Sequence, residues 1–180
     1  MCGFVAAIGP GQPIPEATLV AMRDRLVHRG PDDAGLWFGS YPRGSVSLGF
    51  RRLAIIDTRD VANQPMVSED GRQVIVFNGE IYNYVELREE LERLGCTFRT
   101  RSDTEVLLQA YRYWGDAMIS RLNGAFAFVI WDEARGAALI ARDRFGEKPL
   151  FFGRLDTGGL AFASEIKALL AHPGIAADVD

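Results

Sequence analysis

The spacing of apolar positions changes repeatedly along the chain, and each change predicts a change of element. Gly3 to Ile8 is a short continuous apolar run closed by Gly9-Pro10-Gly11, which predicts a buried strand. From Pro15 to Val27, apolar Leu19, Val20, Met22 and Leu26 recur at helical spacing among charged residues, and Arg29-Gly30-Pro31-Asp32-Asp33 stops the helix. Short apolar stretches between Ala34 and Ile56, interrupted by Gly39, Pro42 and Gly44, predict two or three strands joined by tight turns. Val74 to Phe77 reads as another buried strand, ended by the turn signal Asn78-Gly79. Tyr84 to Leu94 spaces Val85, Leu87, Leu91 and Leu94 as an amphipathic helix. Asp103 is a candidate cap for a further helix reaching Trp114, because its carboxylate can accept unpaired first-turn amides. Beyond Gly124, the runs Ala125 to Trp131, Ala137 to Ala141, Leu150 to Gly153 and Leu160 to Ala163 predict a second sheet. Ser164 is the candidate cap of a last short helix through Leu170, with Glu165 in its acid-preferring first turn.

Strands and helices in this order can form two sheets packed together with helices outside, although periodicity alone does not establish that arrangement. At 180 residues and 48% hydrophobic content, a single domain over 1–180 is the default. The formal charge of −4 is spread without a basic block, which argues against nucleic acid or an anionic membrane as partner and favours a small molecule. The N-terminus lacks a basic region followed by a long apolar stretch, and no run of about 18 apolar residues occurs. A soluble cytoplasmic protein is expected. Cys2 and Cys96 do not make a disulfide framework, and neither His28 nor His172 joins a cysteine at zinc-ligand spacing. The chain reaches Ala177-Asp178-Val179-Asp180 without a distinctive terminal element, which fits a domain cut from something longer.

The first chemically pointed feature is Cys2, directly after the initiator methionine. Removing Met1 would put a thiol and a free amine on one residue. An α-amino group with a pKa of about 7.7–8.0 is partly unprotonated near neutral pH and can take the thiol proton directly or through a water. Met1-Cys2-Gly3-Phe4 is followed in order by His28-Arg29-Gly30-Pro31-Asp32-Asp33, Arg52-Leu53-Ala54-Ile55-Ile56-Asp57 and Gln64-Pro65-Met66. Then come Phe77-Asn78-Gly79-Glu80-Ile81-Tyr82-Asn83, Ser102-Asp103-Thr104-Glu105, Arg142-Asp143-Arg144-Phe145-Gly146 and Ala163-Ser164-Glu165-Ile166-Lys167. This ordered set, spanning essentially the whole chain, resembles the class II glutamine amidotransferases with an N-terminal nucleophile. Within them it is most similar to the glutaminase domain of asparagine synthetase, a distinction carried by Arg29-Gly30-Pro31-Asp32-Asp33.

The resemblance implies an α+β, four-layer α/β/β/α sandwich of two antiparallel sheets, of the N-terminal-nucleophile hydrolase type, with Cys2 starting a central strand. It implies that Cys2 attacks the side-chain amide of L-glutamine, with the side chain of Asn78 and the backbone N–H of Gly79 as oxyanion donors. Arg52 would bind the α-carboxylate and Asp103 the α-ammonium group, with Leu53, Ile55 and Glu80 lining the pocket. His28 is tempting as a base, but the resemblance assigns that work to the N-terminal amine. Cys96 reads as packing and His172 as a loop residue. No cofactor is implied for this chain. ATP and magnesium belong to a synthetase domain that the resemblance implies as partner, and a homodimer stays open. The alternatives are a glutaminase serving another acid acceptor, a hydrolase of another amide, and a non-catalytic glutamine-binding module.

Overall fold

The computed structural model describes residues 1–177; Asp178, Val179 and Asp180 of the terminal segment lie outside them. Nine strands divide into two antiparallel sheets among the described residues. The first has the order β2 (Asp33–Tyr41), β3 (Gly44–Arg52), β1 (Gly3–Gly9), β9 (Leu160–Ala163), β8 (Phe151–Arg154). The second runs β4 (Met66–Val67), β5 (Gln73–Ile81), β6 (Gly124–Asp132), β7 (Ala137–Arg142).

Strand alternation explains why β1, β5 and β6 are apolar without a polar face. Successive side chains point to opposite faces, so a strand covered on both sides must be apolar at every position. Phe4 and Ala6 of β1 meet Val74, Val76, Ala127 and Val129 between the sheets. Val5 and Ala7 pack on the other face with Leu19 and Met22 of α1 (Glu16–Asp24). Ile75 and Phe77 of β5 turn away from the centre toward α2 (Tyr84–Arg93) and α3 (Asp103–Trp114). A short α4 (Ile166–Leu169) places Ala168 and Leu169 beside α1. The result is helices, sheet, sheet, helices: the α/β/β/α sandwich that the resemblance implied.

Several local expectations are corrected. The four C-terminal strands do not make one second sheet, because β8 and β9 return to pair beside β1 while β6 and β7 pair with β5. The first helix ends at Asp24, where Leu26 and Val27 bond three residues back in tighter turns, leaving Leu26 buried all the same. Asp103 is not the cap of α3: Ser102 is, accepting from Glu105 N at 3.3 Å. The Ser-x-x-Glu spacing at 102–105 was the legible signal for it. Glu105 uses its own carboxylate on the Arg99 and Thr100 amides. Ser164 does not cap α4; its Oγ accepts from Phe4 N at 3.0 Å, tying the residue to β1.

Candidate active site

Cys2 immediately precedes β1, which is the middle strand of its sheet, so the candidate nucleophile is carried by a strand paired on both sides. Its Sγ sits against Leu53, which follows β3, with the Leu53 amide donating at 3.4 Å and the Leu53 carbonyl 3.5 Å away. Burial pushes the Cys2 thiol up, opposed by the hydrogen bond with Leu53 and by nearby positive charge including the chain's amino terminus. Such a thiol needs a base close by to become a nucleophile.

The Cys2 side of this cavity, about 170 Å³ in volume, is completed by Met1, Arg52, Leu53 and Ile55. The end of β5 and the start of α3 line the same cavity with Asn78, Gly79, Glu80 and Asp103. The eight residues that the resemblance assigned to catalysis or glutamine binding therefore line one space, although they come from four separated parts of the chain. His28 does not line it; its Nε2 lies 2.9 Å from Glu165. Cys96 packs against the cluster beneath α2 and α3, and His172 is buried in a turn where its Nδ1 accepts from Gly174.

Asn78-Gly79 is not a turn. Both residues lie within β5, opposite Ala127 and Phe126 of β6. The close approach of β6 explains the glycine, since a Cβ there would collide with the Ala125 carbonyl. Asn78 is 1% exposed, and among the described residues its Nδ2 has no hydrogen-bond partner. A buried donor left unmade costs about 1–3 kcal/mol, so a donor of this kind on a cavity wall is suited to a bound acceptor. The Gly79 amide aims at the same region for a topological reason. Backbone amides two residues apart along a strand point to the same edge. Phe77 N donates to Gln64 Oε1 at 2.6 Å and Ile81 N to Asp103 Oδ2 at 3.1 Å, both away from β6. The amide of Gly79, midway between them, faces that same edge.

Asp103 is the first residue of α3 and only 5% exposed. Burial pushes its carboxyl up to about 6 against the lowering effect of its backbone hydrogen bonds, and the charge of exposed Glu80 pushes the same way. Arg52, also in the cavity lining, is buried. Its guanidinium is steadied by the carbonyls of Asp57 and Arg59 and by Asn63 Oδ1. Three of its five N–H groups are thus engaged by neutral acceptors, leaving two and the full positive charge for an anion. The loop that supplies these acceptors is itself pinned by Asp57. Hydrogen bonds from Arg59, and from the amide of Arg101, hold that carboxyl well below the usual carboxylate range.

Further lining residues went unassigned from the sequence. Lys148 reaches the cavity with its Nζ 3.4 Å from Met1 Sδ. Its loop is folded around Asp143, whose carboxylate accepts from the amides of Phe145, Glu147 and Lys148. Gln64 lines the cavity too, clasping Phe77 through both its carbonyl and its amide. Both lie in or beside motifs noted above, but no local pattern tells that an aspartate gathers a loop or that a glutamine replaces a strand.

A cysteine sulfur, two convergent N–H donors, a cation and an anion around one small space suit an amino acid with a reactive side-chain carbonyl. The glutamine amidotransferase domain model matches residues 1–180. Asparagine synthetase [glutamine-hydrolyzing] 1 of Bacillus subtilis is 45% identical over 174 residues, covering 94% of this chain and 27% of that protein. A putative asparagine synthetase [glutamine-hydrolyzing] 2 of Methanocaldococcus jannaschii is 36% identical, covering 95% of this chain and 35% of that one. The chain thus spans about a quarter to a third of the length of these curated relatives. A solved glutamine phosphoribosylpyrophosphate amidotransferase from B. subtilis superposes with a TM-score of 0.80 at 24% identity, over 97% of this chain and 44% of that one, which supports the shared fold. No helix among the described residues is long and apolar enough to cross a membrane. By sequence from end to end and by architecture, this chain belongs to the glutamine amidotransferase domain family.

Proposed function

We propose that the chain hydrolyses L-glutamine to glutamate and ammonia, with Cys2 as nucleophile once Met1 is removed. The observation that carries this reading is the buried Asn78 Nδ2, without a partner among the described residues, beside the Gly79 amide in the cavity that Cys2 also lines. Arg52 takes the α-carboxylate of glutamine and Asp103 its α-ammonium group, which lays the carboxamide between the sulfur and the two donors. The free amine of Cys2 accepts the thiol proton as Sγ bonds to the carboxamide carbon, and the oxygen becomes an oxyanion held by Asn78 and Gly79. The same amine returns the proton to the departing nitrogen; the C–N bond breaks, ammonia leaves and a thioester remains. Water then adds to the thioester, giving glutamate and restoring the thiol.

In the protein that carries this domain, ammonia passes to a synthetase domain where ATP and magnesium serve the amidation of aspartate. That acceptor is supported by the asparagine synthetases that match here, and a cytoplasmic location belongs to the same proposal. Glutamate release by the Met1-processed chain tests the reading. Cys2→Ala should reduce it to background, and a form retaining Met1 should be inactive because its amine is displaced from Cys2. Turnover by molecules whose intact mass still includes Met1 overturns the role given to the Cys2 amine.

A further inference from the structure

On the side of Cys2 away from the cavity lies a chain of charged groups that the hydrolytic scheme leaves unused. Arg29 Nε donates to the Cys2 carbonyl at 2.8 Å, and Arg29 Nη1 donates to Glu165 Oε1 at 2.9 Å. We propose that Glu165 is a positioning residue for the nucleophile, acting through Arg29 on the backbone of Cys2. The inference rests on the reading of Cys2 as the processed N-terminal nucleophile.

A first residue has no preceding peptide bond to hold it. Strand pairing begins one residue later, at Gly3 opposite Arg51. The carbonyl of Cys2 is therefore the backbone handle by which its Cα, and with it both the thiol and the base, can be aimed. Arg29 grips that handle. A long arginine side chain fixes its target only when its own head group is fixed. The Arg29 side chain is 9% exposed, and its Nη2 is buried with no partner among the described residues. Among the described residues Glu165 is the one acidic group paired with it, so removing that carboxylate leaves the guanidinium, among those residues, with the Cys2 carbonyl as its hydrogen-bond partner.

Glu165 is well placed to serve as the fixed end. Burial works against its charge, but Arg29, Lys167 and His28 outweigh it and hold the carboxyl at about 2. Lys167 Nζ stands 3.0 Å from Oε2 and His28 Nε2 2.9 Å from Oε1. The neighbouring Ser164 is joined to Phe4 twice, its amide donating to the Phe4 carbonyl and its Oγ accepting from the Phe4 amide, each at 3.0 Å. Glu165 is thus registered to β1 two residues beyond the nucleophile whose carbonyl it helps to hold. His28, rejected above as a base, gains a place here as a contact of Glu165.

The test uses the full chain with Met1 removed, glutamate release at saturating and limiting glutamine, and thermal unfolding alongside. Glu165→Ala should lower kcat by about 100-fold, the scale of a small misplacement of a reacting group, while KM stays within about twofold. Glu165→Gln keeps an oxygen facing Arg29 and should recover about tenfold of that loss, since the hydrogen bond survives without the charge. In an Arg29→Ala background, Glu165→Ala should change kcat by less than about twofold, because the two residues act as one unit. If Glu165→Ala is unfolded, the same comparison is made with Glu165→Gln. Unaltered kcat in a folded Glu165 variant overturns the proposal, as does an undiminished loss in the Arg29→Ala background. Absence of glutamate release from the unsubstituted protein overturns the glutaminase reading instead.

Discussion

Asp103 meets two demands that pull against each other. The proposed contact with the α-ammonium group of glutamine needs it ionised, while its buried position favours the protonated form and raises its carboxyl from 3.8 to about 6. The raised value means that the folded state holds the proton more tightly than the unfolded state. This group therefore adds stability as pH falls through 6 toward 3.8, and its ionised form weighs against the fold above that window. The shift corresponds to as much as about 3 kcal/mol. Asp103→Asn, neutral and still able to accept from Ile81, should raise unfolding free energy near pH 7.5 by about 1–3 kcal/mol while glutamine binding collapses. Chemical denaturation and KM read the two effects, and an unchanged or lowered stability refutes the account. For the unsubstituted protein, kcat/KM should fall as pH drops below about 6, the point where the ammonium loses its partner. Asn78 and Arg52 should separate chemistry from binding. Asn78→Ala removes a donor that matters most when charge develops and should lower kcat by about 100–1,000-fold with little change in KM. Arg52→Ala removes a contact present before and during reaction, so KM should rise by about 10–100-fold. Steady-state kinetics with glutamine distinguishes the two signatures.

At the scale of elements, the site exists because β5 outruns its partner on one side. β4 pairs only Met66 and Val67 with Ile75 and Val74, so from Phe77 onward that edge of β5 is open. Gln64 and Asp103 take the Phe77 and Ile81 amides there, and the Gly79 amide between them stays directed at the cavity. Gln64 is 7% exposed and supplies both an acceptor and a donor to Phe77, acting as a one-residue substitute for a strand. Gln64→Ala should cost about 2–4 kcal/mol, since a buried N–H and C=O both lose partners. It should also lower kcat, because Asn78 is the next residue along. Equilibrium unfolding together with kcat checks both; loss of stability with kcat intact would detach Gln64 from the site. The turn expected at Asn78-Gly79 shows why this was hard to read. A two-residue turn signal is a local preference, and the long ladder with β6 overrides it.

On the whole-molecule scale, the described architecture completes a pocket for one amino acid but leaves its mouth apolar and open. Ile55, which lines the cavity, is 72% exposed. This chain, which spans about a quarter to a third of its curated relatives, should therefore hydrolyse glutamine without ATP, but slowly, because an exposed lining spends little time closed over substrate. Incubation with glutamine, aspartate, magnesium and ATP should yield glutamate without asparagine or AMP. Asparagine with matching AMP would place an ATP site within these residues.

The sequence alone determined the elements whose apolar period is long, the doubly covered character of β1, and the order of motifs that marks the family. These are local quantities: a period, a cap, a spacing. Only the tertiary structure decided that β8 and β9 pair beside β1, and that Asn78 keeps a buried donor without a partner among the described residues. It alone decided that Asp103 answers Ile81 rather than capping its own helix, and that Glu165 reaches Cys2 through Arg29. In each case the deciding partner lies far along the chain, as Arg29 and Glu165 do. A residue's preference is written in its neighbours in sequence, whereas the partner that satisfies a buried polar group is chosen by packing.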